Sequence, residues 1–259
     1  VAEDADDPTI IENLFAMEKW RGGMALVDHA STRTLVLSDI HMHFCAAYRN
    51  SVPGGKVCID NVFCRNQFRP EIPVFDFKGQ KVWARQINPE RNNPEIRNDG
   101  GHVWIFGFKT EFHGTAFHTL NGGSTEVLGG TMNQSVKGDG ESAPGILNEN
   151  SNVSVVCGTT DWRDISFTRK IIVQETRDEQ TRTMRWDAFP HRDANLIAVP
   201  LYVGRAAKQK KSPTRASLLT GKSPARLGLT QAIGGRFTGA LCDVPYLFVR
   251  FRSCECKLY

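Results

Sequence analysis

A six-position pattern recurs down this chain: apolar, any, apolar, any, any, apolar. It occupies Leu35/Leu37/Ile40, Val57/Ile59/Val62, Val82/Ala84/Ile87 and Val103/Ile105/Phe108. Weaker copies with Gly in an apolar slot sit at Val127/Gly129/Met132 and Val153/Val155/Gly158. Successive copies start 21 to 26 residues apart. A period of this size marks a stacked-repeat protein, because one unit cannot bury its apolar side alone.

Each copy is short, rich in Val and Ile, and alternating over its first half, which favours strand over helix. Turn formers separate the copies: Pro53-Gly54-Gly55, Asn98-Asp99-Gly100-Gly101 and Asn121-Gly122-Gly123. Shorter apolar stretches, Val74–Phe77 and Thr115–His118, fall between them as second strands. These features describe an all-β, right-handed parallel β-helix. A leucine-rich repeat shares the alternating strand. It also needs a preceding Leu, a following Asn and a return helix, none of which recurs. The expected organisation is a cap or lead-in over residues 1–23, a β-helix over 24–190, and an irregular basic tail over 191–259.

No apolar run reaches the roughly 20 residues that span a bilayer, so no membrane partner is expected. The first residues carry no signal peptide, and the chain reads as the C-terminal portion of a longer product. Seven Cys include no CxxC pair and no Cys/His set with zinc spacing, so the thiols read as buried or free. Charge divides unevenly. Residues 1–199 hold 21 Lys+Arg against 26 Asp+Glu, a net of −5, while residues 200–259 hold 11 against 2, a net of +9. The basic run from Arg205 to Lys211 lacks aromatic interleaving or a nucleic-acid module, so it reads as solvated chain and no nucleic-acid partner is expected.

The segment Lys81–Met132 contains KVWARQINPE, NDGGHVWIFGFKTE and NGGSTEVLGGTMN. It resembles the coils of pectate-lyase-like β-helix proteins, including those related to glycoside hydrolase family 28. A looser likeness runs over residues 24–190. The resemblance implies a secreted protein, extracellular or periplasmic, that binds or cleaves a polysaccharide, with this portion supplying mainly scaffold and sugar surface. It admits Ca2+ as a family cofactor; the residues themselves point to no cofactor and no metal site. The Asn-Thr-Asp, paired Asp-Asp and Gly-His-Gly motifs of polygalacturonases are not found in strand context.

Alternation places Ser38, Asp60, Arg85 and Phe106 in one outward column and Val36, Cys58, Trp83 and Trp104 in another. Trp83 and Trp104 therefore neighbour each other beside Asp60 and Arg85, a combination suited to a sugar. Aromatic faces take C–H groups while charged groups take hydroxyls or uronate. Trp83, Arg85 and Trp104 are the candidate substrate-binding residues. The segment Ile10–Met17 has helix-like spacing and offers a cover for these tryptophans. Asp39 and Asp60 are the candidate catalytic carboxylates, with His41 and His43 on the same side; no third metal ligand accompanies that His-x-His.

From Lys211 the chain reads KSPTRASLLTGKSPARLGLT, similar to the type I sulfatase signature. Ser212, Pro213, Arg215 and Gly221 match that signature, but Lys211 stands where the Cys or Ser nucleophile belongs. Lysine cannot become formylglycine, so sulfatase activity is not expected. Two alternatives stay open beside the polysaccharide reading: a non-catalytic structural or adhesion module, and an inactive sulfatase-derived fusion fragment.

Overall fold

The computed structural model describes residues 7–16, 25–43, 45–66, 69–134, 143–161, 169–193 and 196–206. Strands, numbered in chain order, form two sheets. The long sheet runs β1 (Thr9–Ala16), β3 (Leu35–His43), β5 (Lys56–Arg65), β7 (Lys81–Glu90), β9 (His102–Glu111), β11 (Ser124–Gln134), β13 (Asn152–Asp161), β17 (Leu196–Gly204) and β16 (His191–Asp193). The second runs β2 (Ala25–His29), β4 (Ala46–Asn50), β6 (Phe75–Lys78), β8 (Ile96–Asp99), β10 (Phe117–Leu120), β12 (Ile146–Glu149), β14 (Ile171–Arg177) and β15 (Gln180–Arg185). β1 to β13 pair parallel within the long sheet and β2 to β14 within the second. The chain alternates between the sheets as it climbs, which makes the fold a parallel β-helix. No α-helix occurs among the described residues.

The interior is built of vertical columns. Leu35, Val57, Val82, Val103, Thr125 and Val153 stand in register, as do Leu37, Ile59, Ala84, Ile105, Val127 and Val155. All are buried. The facing wall is the column Val27, Tyr48, Phe75, Ile96, Phe117, Ile146 and Val173. Its members are at most 4% exposed, so the two sheets share one dry core along the axis.

The spacing of the repeat has a backbone cause. Its fifth position is left-handed from β3 to β11: Asp39 (φ 52°), Asn61 (54°), Gln86 (52°), Gly107 (77°) and Gly129 (78°), preceded by Asn13 (57°) in β1; Cys157, at that position in β13, is not left-handed. Strict alternation would point the sixth residue outward. The left-handed residue bends the strand into a corner and returns the sixth to the interior, as Ile40, Val62, Ile87 and Phe108 show. Asn, Asp and Gly accept this conformation readily; Gln86 is the exception. Across the corner Asn61 Nδ2 donates to Asp39 Oδ1 at 2.7 Å, tying two coils.

Three expectations need correction. Ile10–Met17 is no helical cover: Thr9–Ala16 is a strand paired with β3, so the ladder begins ahead of residue 24. Its apolar spacing mimics a helix because the left-handed Asn13 separates Ile11 from Leu14 by three. The fifth copy is also misaligned. Thr125 and Val127 fill the first two interior slots, and Met132 belongs to a further column with Met42, Cys64, Pro89, Thr110 and Thr159. β11 keeps an even register with β9, and a bulge at Leu128/Thr131 shifts only its pairing with β13. In the sixth copy Gly158 pairs with Thr131 and Cys157 joins the core instead. His191–Asp193 and Leu196–Gly204 likewise continue the long sheet as antiparallel β16 and β17 and are not part of an irregular tail.

Gly130 is set by packing. A Cβ there would lie 2.3 Å from Phe108 Cδ1 and 2.4 Å from its carbonyl oxygen, at φ +129°. The Phe108 ring packs edge-on against Phe117, with centroids 4.8 Å apart, and fills the space one coil up. Gly130→Ala is therefore expected to lower the urea midpoint by the equivalent of about 2–3 kcal/mol. Gln86→Gly, which relieves a left-handed side chain, raises it by about 1 kcal/mol. Equal midpoints for both variants and the parent would refute the corner account.

Candidate functional site

Register carries Ile10, Val36, Cys58, Trp83, Trp104 and Glu126 up one outward column of the long sheet. Trp83 and Trp104 pair directly, with ring centroids 5.4 Å apart and planes within 12°. His102, two residues before Trp104 on β9, adds a third near-parallel ring at 5.9 Å. The three rings differ in accessibility. Trp83 is only 9% exposed, Trp104 is half-buried and His102 is exposed. The expectation of two exposed tryptophans thus holds in part: Trp83 is buried and backs Trp104, which presents the accessible surface.

The neighbouring column holds Ser38, Asp60, Arg85 and Phe106. Arg85 grips Asp60 through two parallel hydrogen bonds, Nε to Oδ1 at 2.7 Å and a terminal nitrogen to Oδ2. Asp60 is 3% exposed. A bidentate guanidinium–carboxylate pair at this depth is geometrically specific, and both oxygens of Asp60 are engaged. Asp39 sits at the left-handed corner. Its carboxylate accepts from Asn61 at 2.7 Å and from the Ser38 hydroxyl at 3.1 Å. The two candidate catalytic carboxylates therefore lie on adjacent coils, each engaged by polar neighbours.

A further acidic pair was not foreseen from sequence. Glu90 and Glu111 stand in register at the ends of β7 and β9. Lys109 bridges them, its Nζ 2.8 Å from Glu90 and 2.5 Å from Glu111. Burial works against the charge on Lys109, but the bonds to Glu111 and Glu90 outweigh it and hold its pKa above the ordinary lysine range. The sequence signal was available: continuing the alternation past the left-handed corner puts Glu90 and Glu111 on one level.

The core contains a second unforeseen group. Arg169, 3% exposed, enters between coils and donates to the carbonyls of Gly114 (2.6 Å), Phe112 (3.2 Å), His113 (3.3 Å) and Ala143 (3.4 Å). Burial lowers its pKa to about 10, against the opposing pull of Glu95. Burial likewise pushes the Glu95 carboxyl well above the usual carboxylate range, partly offset by Arg169. Glu95 is 1% exposed. These groups tie coils together inside the fold.

Cys45, Cys58, Cys64 and Cys157 are buried, unpaired thiols. Burial pushes Cys58 and Cys157 up to about 12, which removes them as nucleophiles near neutral pH. Among the described residues no group of three or more His, Cys, Asp or Glu side chains is placed to hold a metal ion. No helix among them is long and apolar enough to cross a membrane. The sulfatase-like residues Lys211, Ser212, Pro213, Arg215 and Gly221 lie outside the described residues.

No family model matches the chain, and no curated protein or solved structure matches it either.

The raised Glu95 pKa fixes the sign of a pH effect. The folded chain holds this proton at pH values where the unfolded chain has released it. Stability therefore falls as pH rises above the unfolded value of 4.5. Glu95→Gln cannot lose that proton, so its urea midpoint relative to the parent should improve steadily from pH 4.5 towards neutrality. Parallel midpoint-versus-pH curves would show that Glu95 ionises normally in the fold.

Proposed function

We propose that the chain is a polysaccharide-binding β-helix module that acts outside the cytoplasm, in the extracellular or periplasmic space, with the outer face of the long sheet as its glycan surface. The near-parallel array of His102, Trp104 and Trp83 carries this reading. Aromatic faces stack on the C–H side of a pyranose, and the adjacent Arg85–Asp60 pair, closed on itself, holds the neighbouring column rigid beside the rings. A rigid sheet holds these groups in place before a ligand arrives, so little ordering cost is added on binding.

Binding is favoured over cleavage by the state of the carboxylates. Glycoside hydrolysis needs one carboxylic acid to deliver a proton and a second carboxylate to act as base or nucleophile across the sugar. Asp60 is clamped by Arg85, and Glu90 and Glu111 share Lys109. Asp39 is held at a backbone corner by Asn61. These are interactions that fasten coils to one another. The same observation supports a second reading, a purely structural or adhesion module without a glycan ligand.

Trp104→Ala separates the two. It removes the accessible ring and leaves Trp83 in place. In affinity gels containing polygalacturonate or neutral glycans, Trp104→Ala should weaken retention roughly fivefold, matching about 1 kcal/mol of stacking, with an unchanged circular dichroism spectrum. Trp83→Ala should weaken retention too, and lower stability by about 3 kcal/mol through the cavity it leaves. Retention of the parent by none of these glycans, or equal retention of parent and Trp104→Ala, would reject the glycan surface and leave the structural module.

A further inference from the structure

His41 and His43 alternate with Met42 on β3, so both imidazoles leave the same outward side of the strand while Met42 enters the core. Their Nε2 atoms lie 3.0 Å apart and their ring centroids 5.1 Å apart. The register seats His41 between Phe15 of β1 and Phe63 of β5, with ring centroids at 5.2 and 4.3 Å. His43 also lies against Phe63, at 5.1 Å. Three coils thus contribute rings that fix the orientation of the pair. His41 is exposed and His43 half-buried.

We propose that His41 and His43 form a two-imidazole chelate for a borderline transition-metal dication, preferring Cu2+ over Ni2+ and Zn2+, with water completing the coordination sphere. It is an exchangeable surface site, unlike a resident cofactor site enclosed by three or four protein ligands.

At 3.0 Å one Nε2–H donates to the other ring's lone pair, and a dication that displaces this proton finds two imidazole nitrogens already facing each other. Imidazole nitrogen is a preferred ligand of Cu, Ni and Zn. Two nitrogens each about 2.1 Å from one ion are about 3.0 Å apart at a right angle and about 3.4 Å apart at the tetrahedral angle. The observed contact is short enough for one ion to reach both nitrogens after a small turn of the rings, and Cu2+ and Ni2+ are the tetragonal ions of this set. The general order of divalent affinities points the same way. The aromatic shelf supplies the preorganisation that a surface pair otherwise lacks, since Phe15 and Phe63 restrict rotation of the His41 ring.

The test uses the full, untagged chain with CuCl2, NiCl2 or ZnCl2 alone as probe. With one equivalent of Cu2+, electron paramagnetic resonance should show nitrogen coupling from two imidazoles. Titration calorimetry should rank Cu2+ over Ni2+ over Zn2+. His41→Asn and His43→Asn should each weaken Cu2+ binding by more than the roughly tenfold that loss of a supporting contact to a ligand already costs. The double variant should be little worse than either single one, because the chelate needs both rings. His41→Phe keeps the stack with Phe15 and Phe63 and removes the ligand; it should fold like the parent and lose the signal. His118→Gln, on the other sheet, should bind as the parent does. Cu2+ affinity unchanged in His41→Phe and His43→Asn would overturn the proposal and assign the contact to an N–H···N hydrogen bond between the two rings.

Discussion

The left-handed residue at the corner of β1, β3, β5, β7, β9 and β11 is the constraint on which the coil depends. It converts an alternating strand into two interior facets joined at a corner, so a single strand lines two walls of the core. Without it, Ile40, Val62, Ile87 and Phe108 would point to solvent and the long strands would bury only half of their apolar side chains. The corner recurs at the same height from β1 to β11, so its residues also stack. Asn61 bonding back to Asp39 shows one corner supporting the next. A second left-handed column, Gly79, Gly100, Asn121 and Asn150, turns the chain from the second sheet back to the long one. There too a side chain bridges coils, from Asn121 Nδ2 to Asp99 Oδ1 at 2.7 Å.

Polar contacts between coils follow from that stacking. Once columns are vertical, opposite charges in neighbouring copies meet without further design: Arg85 on Asp60, Arg97 on Asp76, Arg49 on Asp28. The exposed pairs contribute little to stability. Arg85–Asp60 is nearly buried and fixes both side chains. Arg169 extends the principle inward. Its guanidinium replaces the water that carbonyls at an interior turn would otherwise need, and the buried Glu95 carboxyl is coupled to it. Such a buried pair favours one arrangement of coils more than it adds stability, because desolvation consumes most of the attraction.

How much of this was legible in the sequence depends on how each position encodes its conformation. The first four copies carry Leu, Ile, Val, Ala or Phe in every interior slot, so their register could be read directly, and the Trp83–Trp104 and Asp60–Arg85 adjacencies came with it. The fifth copy failed because Thr125 is buried despite its hydroxyl and Gly130 replaces an apolar residue to make room for Phe108. β1 failed because the corner at Asn13 gives its apolar residues helical spacing. Glu90, Glu111 and Lys109 were missed because strand alternation must be restarted after the corner to see them together. Arg169 and Glu95 left no signal at all. Each lies in a loop or at a strand start, and only the folded chain shows that their charges are enclosed.

The same rigidity bears on what the outer face can do. A stacked coil presents one residue per column every 4.8 Å or so along the axis, with little freedom to rearrange. That geometry suits a ligand with its own repeat, which makes several modest contacts in line. It suits acid–base chemistry less well where a carboxylate is already engaged by a cation, as Asp60 is by Arg85 and Glu90 and Glu111 are by Lys109. Aromatic rings are not compromised by such neighbours. Their stacking capacity depends on surface, and the surface is retained at Trp104 and His102. The interactions that hold the coils together thus engage the carboxylates, while the Trp104 ring keeps part of its surface outside them.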